Sequence, residues 1–394
     1  MDKSAALTGL IGTELPILLA PMAGASTPEL AAAVSNAGGL GALGSAMMSA
    51  ADLRRETEAV RALTNKSFNL NFFVHHEPDV AGYDAKPMQK ALSGYFGELG
   101  LGEVPPPSVP APAFNEEMLE LLLELRPRVA SFHFGLPSPA IVERLKDAGM
   151  AVIGSATTAA EARALESGGA DAVIAQGHEA GGHRGTFLDH VDLGTVGTMA
   201  LVPQVVDVVR VPVIAAGGIG DARGVAAAFM LGAAGVQLGT AYLACPEAKV
   251  HPVHRKALAE ASDHSTVVTK IFSGRPARAI RNRLTEEMRW HEDAAAPFPA
   301  QRPMIAPLTS AGAKTGRPVI FGKPVKGDEQ QVVRHRSDGV VDFAVIKNLV
   351  VDFVREHDQI VFAGDFQHFL QQRLVADAGS VPRHCVRLRH AWPS

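Results

Sequence analysis

Ten residues that follow a short apolar run, Gln176 to Gly185, read QGHEAGGHRG and hold four glycines, two histidines, a glutamate and an arginine. No packed core needs that composition, so the segment reads as a loop that does chemistry. His183 stands between Gly182 and Arg184, with little bulk before it. An imidazole in such a place can take or deliver a proton near neutral pH, which makes His183 the candidate catalytic residue. His178 is a secondary candidate, since plain exposure at the end of the apolar run accounts for it as well. Glu179 is suited to orienting a backbone or a neighbouring cation. The two histidines are five residues apart, and two glycines between them break the helix that an HExxH zinc motif requires, so no metal site is expected. His133 ends another apolar run and either points toward the same place or closes a local hydrogen bond. His75 and His76 are too loosely placed to assign.

Two more segments carry glycines where a ligand would need a bare backbone. Gly217-Gly218-Ile219-Gly220 precedes a helix that starts near Asp221, and Gln237-Leu238-Gly239-Thr240 follows it. Glycines admit a ligand close to the backbone, and amides at a helix start face an anion. Either segment alone would also serve as a tight turn. Together they point to a phosphate group. Neither segment is a Walker loop or a GxGxxG dinucleotide fingerprint.

These groups need a frame that brings them together. Eight short apolar runs are the candidate strands: Ile17 to Ala20, Leu40 to Leu43, Phe68 to Phe73, Val129 to Phe134, Ala151 to Ser155, Ala172 to Ala175, Val213 to Ala216 and Val236 to Leu238. Most are continuous rather than alternating, the pattern of strands buried on both faces in a parallel sheet. Between them lie helical stretches, Pro28 to Ala37, Ser138 to Ala148, Thr158 to Ser167 and Asp221 to Leu231, each ending near a glycine. Eight βα units predict an α/β fold of the TIM (β/α)8 type, with its site at the carboxyl ends of the strands and phosphate at the last two loops. A doubly wound open sheet also alternates, but its commonest form has fewer strands.

Composition bounds the partners. The chain has 394 residues, 47% hydrophobic, and a net charge of −4, which argues against nucleic acid as a partner. Two cysteines, Cys245 and Cys385, make neither a disulfide framework nor a cysteine-rich zinc site. The longest apolar runs are far shorter than the roughly 20 residues of a membrane span, and the first residues lack the apolar core of a signal peptide. A cytoplasmic location without membrane contact is expected.

Five blocks in order, Pro21-Met22-Ala23-Gly24, FNLNFF (Phe68 to Phe73), AQGHEAGGHRG (Ala175 to Gly185), AAGGIGD (Ala215 to Asp221) and QLGTAYL (Gln237 to Leu243), resemble the nitronate monooxygenases, formerly 2-nitropropane dioxygenases. The likeness runs from about residue 10 to about residue 312. It implies a TIM barrel with a smaller C-terminal lid domain and noncovalently bound FMN. It places FMN contacts on Ala20, Pro21, Met22, Asn71, Gln176, Gly181, Gly218, Gln237, Gly239 and Thr240, and the active-site histidine on His183. The implied reaction is oxidation of an alkyl nitronate by O2, with a carbonyl product and nitrite; propionate 3-nitronate is the substrate the family suggests. His183 would serve as base toward a neutral nitroalkane and as hydrogen-bond partner of the nitro oxygens of a nitronate. A homodimer is a candidate assembly. The alternative is an FMN-dependent NAD(P)H reductase, of the enoyl-[acyl-carrier-protein] reductase or NADH:quinone reductase kind, which carries a similar EAGGH loop. A non-catalytic flavin- or phosphate-binding barrel is the remaining reading.

The likeness divides the chain into a barrel over residues 1–243, a lid with closing helix over 244–316, and an atypical extension over 317–394. In the lid, Arg275 and Arg278 are candidates to face an anionic substrate, although surface arginines are more often solvated. The extension lacks the family's usual ending. It is either an added segment for assembly or the product of a shifted reading frame.

Overall fold

A computed structural model describes residues 3–110, 113–188, 190 and 193–315; the expectation for 317–394 falls outside these. In chain order the strands are β1 (Ile17–Leu19), β2 (Gly41–Gly44), β3 (Phe68–Phe73), β4 (Val129–His133), β5 (Ala151–Ala156), β6 (Ala172–Gln176), β7 (Gly182–His183), β8 (Val213–Ala216), β9 (Gly235–Leu238), β10 (Thr266–Thr269) and β11 (Ala277–Ile280). Eight of them form one sheet in the order β1-β9-β8-β6-β5-β4-β3-β2, with every neighbouring pair parallel. A parallel bridge between Leu18 and Leu40 joins the two outer strands and closes the ring. The eight strands read from the sequence are these eight, with ends shifted by one residue at most. All six residues of β5 and all five of β6 are buried, as continuous apolar runs require.

The connecting helices start where the sequence places caps. Thr27 Oγ1 accepts from Leu30 N–H before Pro28–Asn36, and Thr158 Oγ1 accepts from Glu161 N–H before Ala159–Ser167. Leu18, Leu40, Val129, Ile153, Ile174 and Ile214 fill one core of the sheet. Leu53, Val60, Leu122, Val142 and Leu145 on helices pack with Leu70, Phe72 and Val152 in another.

A second, antiparallel sheet, β10-β11-β7, lies outside the ring. It was not foreseen, because Gly182–His183 is two residues with no apolar pattern. A third core joins residues far apart in sequence. Met88, Leu92, Tyr95 and Phe96 on helix Lys86–Leu99 pack with Ile271, Leu284, Met288, Met304 and Leu308. The spacing of those four residues puts them on one helical face. Each fully buried apolar side chain contributes about 1.5–3 kcal/mol, so this cluster fixes the segment after β3 against the segment after β9. Among the described residues, no helix is long and apolar enough to cross a membrane.

Candidate active site

The glycine-rich block after β6 is a turn that leads into β7, and two side chains hold it. Arg184 is only 2% exposed. Its guanidinium donates to the carbonyls of Gly177 (2.7 Å), Gln176 (2.9 Å) and Gly194 (3.1 Å). Gln176 uses both ends of its amide, accepting from Gly185 N–H at 2.8 Å and donating to His183 O at 3.0 Å. Burial, and then the charge of Arg278, lower the Arg184 pKa to about 10, so it remains a cation at neutral pH. Glu179 orients a backbone, as its composition allowed. Its carboxylate accepts from Thr198 N–H at 2.8 Å and so caps helix Thr198–Val206, whose N-cap residue is Gly197.

His183 pairs across β11 in register with Ala277, which places it on a strand rather than in a loop. Its Nε2 lies 2.9 Å from Ser273 Oγ, and Ser273 Oγ lies 3.3 Å from Arg275 O. Nδ1 of His183 has no partner among the described residues and is not sealed from solvent. Aromatic rings surround the imidazole: Phe298 at 5.3 Å, Phe134 at 6.0 Å and Phe73 at 6.1 Å between centroids. Phe134 has φ of 72°, a left-handed conformation that is uncommon for a bulky residue and typical of sites where geometry is imposed. His133 does both things expected of it. It closes the strand end against Ser155 Oγ (3.0 Å), and its Nε2 reaches His183 O at 3.3 Å, inside the same cluster. His178 is half-buried, and its carbonyl accepts from Arg278 Nη2 at 3.0 Å.

Neither Arg275 nor Arg278 is simply solvated. Arg275 sits 4.0 Å over the Phe134 ring and donates to Thr186 O and Arg184 O. Arg278 holds the His178 carbonyl and Thr266 Oγ1. Burial lowers the Arg275 pKa to about 10, which leaves it charged at neutral pH. Burial, then the charges of Arg275 and Arg302, lower His183 to about 4. Burial, then His183 and Arg275, lower His133 to about 3. Around the histidine, then, the imidazoles are neutral and the charges that act on His183 are the guanidinium groups of Arg275 and Arg302; the buried Glu161 carboxylate acts on Arg275 without forming an ion pair with it.

These buried neutral histidines make the protein acid-labile. An unfolded histidine titrates near 6.5, whereas His133 and His183 titrate near 3 and 4 when folded. Below 6.5 the unfolded chain therefore binds protons that the native state does not, and stability falls as pH falls toward 4. Each histidine contributes about 1.4 kcal/mol per pH unit in that window. The urea midpoint is expected to drop clearly between pH 7.5 and 5.5. An unchanged midpoint over that range would mean that the two imidazoles are not buried in neutral form.

The remaining candidate residues meet at one rim. Ala20, Pro21 and Met22 follow β1, Asn71 lies on β3, Gln237 on β9, and Gly239 and Thr240 follow β9. Asn71 is buried and donates to Ser131 Oγ at 2.9 Å. A Cβ added at Gly181 would stand 3.2 Å from Thr240 Oγ1, one at Gly218 3.2 Å from Glu179 Cβ, and one at Gly239 3.3 Å from Ala20 Cβ. The loops after β1, β6, β8 and β9 are therefore in contact. Gly217 has φ of 110°, and a Cβ there would come 2.9 Å from Ala180 N, so only glycine fits.

One part of the phosphate expectation changes. At the start of helix Ala222–Met230 two amides are already taken, because the Asp221 carboxylate accepts from Arg223 and Gly224 N–H. A negative cap already occupies that helix end, which disfavours a second anion there. The amides of Gly218, Ile219, Gly220 and Thr240 find no acceptor among the described residues. They, with the crowded glycine cradle, fit a phosphate better than the helix terminus does.

Ser273 and Phe298 were missed by sequence reasoning. They lie far along the chain from His183, and nothing local marks them. Arg184 was within the block singled out, but a run of polar residues gives no sign that it is buried.

The comparisons with known proteins agree. The nitronate monooxygenase family matches residues 4–322. A probable nitronate monooxygenase of Staphylococcus aureus (strain MSSA476) is 42% identical over 316 residues, covering 79% of this chain and 87% of that protein. Among solved structures, nitroalkane oxidase from Streptomyces ansochromogenes superposes with a TM-score of 0.71 at 38% identity, over 81% of this chain and 90% of that one. FabK from Thermotoga maritima superposes with a TM-score of 0.61 at 31% identity, over 94% of this chain and 98% of that one.

Proposed function

The chain belongs to the nitronate monooxygenase family, and on that premise we propose that it binds FMN and uses O2 to oxidise alkyl nitronates, propionate 3-nitronate among them, to a carbonyl product and nitrite. The observation that carries this reading is the cluster around His183, where Arg275 and Arg302 act on a neutral imidazole of low basicity and neither forms an ion pair among the described residues. A nitronate is an anion that has already lost its α-proton. Arg275 and Arg302 favour its entry, and it needs no base. A neutral nitroalkane must lose that proton to the enzyme, and an imidazole titrating near 4 is a poor acceptor at neutral pH.

Ser273 supports the same preference. Its hydroxyl can give its proton to Arg275 O, which leaves His183 as the Nε2–H tautomer with a basic Nδ1. It can instead turn the proton to His183 Nε2, the closer contact, which leaves Nδ1–H as a donor. An oxyanion at Nδ1 selects the second arrangement. His183 then hydrogen-bonds the nitro group while Ser273 fixes the tautomer. The rim made by Ala20 to Met22, Gly181, Gly218, Gly239 and Thr240 fits the flavin phosphate, with Asn71, Gln176 and Gln237 below it. Bound there, the flavin supplies electron acceptance from the nitronate and electron return to O2. Phe73, Phe134 and Phe298 exclude water from the reacting group.

The test is oxygen uptake by the purified, flavin-loaded protein. Preformed propionate 3-nitronate is expected to be consumed without NADH, and at least about a hundredfold faster than the neutral nitroalkane, given the 10²–10⁴-fold that proton transfer commands. The likeness to FabK keeps the reductase in view. Anaerobic bleaching of the flavin by NADH, with no nitronate-dependent oxygen uptake, would replace the monooxygenase reading with that one.

A further inference from the structure

The stretch after β3 contains a side chain that the proposed chemistry has not used. Both ring nitrogens of His75 are buried, and neither has a hydrogen-bond partner among the described residues. A neutral imidazole carries one donor and one acceptor. Buried polar atoms without partners are uncommon in native proteins, and each one calls for an explanation.

The surroundings of His75 supply it. Its ring stands edge-on to Phe298, with centroids 5.0 Å apart, and 6.5 Å from Phe134. His183 stands edge-on to the same Phe298 ring at 5.3 Å. Arg275 lies 4.0 Å over Phe134 and 6.0 Å from Phe298. The two histidines and the guanidinium thus share the same two phenyl rings as walls. Burial, then the charge of Arg275 and the neighbouring His76, hold the His75 pKa down at about 4. Among the described residues no carboxylate forms an ion pair with Arg275 and none acts on His75.

We propose that His75 is a substrate-binding residue: its ring nitrogens are closed off in the ligand-free chain, and a turn of the ring brings an N–H to an oxyanion of the bound substrate that also faces Arg275. The proposal rests on the nitronate reading above for the identity of the substrate. An alkyl nitronate offers oxyanions at its nitro end, and a carboxylated one offers another at its far end. The chemistry His75 recognises is the same in both.

Anion titrations of the flavin-loaded protein, followed in the visible absorbance of the flavin, test this without turnover. Nitrate stands in for the nitro end and propionate for the carboxylate end. His75→Phe is expected to weaken one or both by roughly ten- to a hundredfold, the range for a hydrogen bond to a charged group. The anion affected identifies the end that His75 holds. His75→Gln, which keeps an N–H, is expected to recover part of the loss. Because the phenylalanine removes two unpartnered nitrogens, the thermal midpoint of the ligand-free variant is expected to stay level or rise. A His75→Phe protein that binds both anions as the wild type does would overturn the proposal. So would a fall in midpoint with anion affinities unchanged, since His75 would then be structural. Absence of oxygen uptake with every nitronate would instead sink the nitronate reading, and the anion titrations would still report on His75.

Discussion

Replacing His183 by leucine is expected to lower kcat/KM for an alkyl nitronate by roughly ten- to a hundredfold, the value of one hydrogen bond to a charged group, while flavin content stays at the wild-type level. The separation follows from where His183 sits. Its side chain bonds Ser273 and faces Phe298, whereas its backbone carbonyl is what Gln176 and His133 hold. A side-chain replacement therefore leaves the β7 and β11 pairing and the glycine rim in place. His183→Asn offers an amide N–H and is expected to recover part of the loss on the nitronate. Toward a neutral nitroalkane, where only a base helps, asparagine is expected to recover nothing. Oxygen-uptake kinetics with both substrates distinguish the two roles. Wild-type turnover by a flavin-loaded His183→Leu protein would remove His183 from the reaction.

The pH dependence of that reaction follows from the same cluster. With His183 titrating near 4, its protonation does not shape activity between pH 5 and 8. An ordinary histidine would titrate in the middle of that range. The same desolvation that makes His183 a poor base keeps it neutral for hydrogen bonding.

The fold was legible where burial on both faces leaves a trace in sequence. Val213–Ala216 and residues Ala172 to Ala175 of β6 are unbroken apolar runs because ring strands contact both the interior and the helices. The second sheet left no such trace. β7 is two residues, and β10 and β11 are only partly buried, so their order comes from pairing rather than from pattern. The glycine rim was legible because only glycine tolerates the approach at Gly217. The capping role of Asp221 was not legible, since it reads equally as a cap or as a bystander until its carboxylate is placed on the amides of Arg223 and Gly224. Ser273, Phe298 and the importance of His75 arise from chain segments that meet only in three dimensions. No spacing rule reaches across them.

Arg184 carries the largest expected loss of stability. Arg184→Met is expected to destabilise the protein by about 2–5 kcal/mol, since each buried carbonyl that loses its donor costs about 1–3 kcal/mol. The guanidinium satisfies the carbonyls of Gln176, Gly177 and Gly194 at once, in a place that water does not reach. Those carbonyls belong to the end of β6, the turn that follows it, and the approach to helix Thr198–Val206. Losing the cation takes a donor from all three acceptors, leaving Gly177 O with its 3.1 Å bond from Ala180 N–H, and frees the segment that sets both Gly181 and His183. Activity and flavin retention are then expected to fall together, in contrast to the His183 variants. Arg184→Lys is not a rescue. An ammonium is a point charge without the planar fork, and it cannot reproduce three directed bonds to carbonyls that diverge. Urea midpoints and flavin content of the two variants decide the matter. A lysine variant as stable as wild type would show that charge alone, not the shape of the guanidinium, holds the loop.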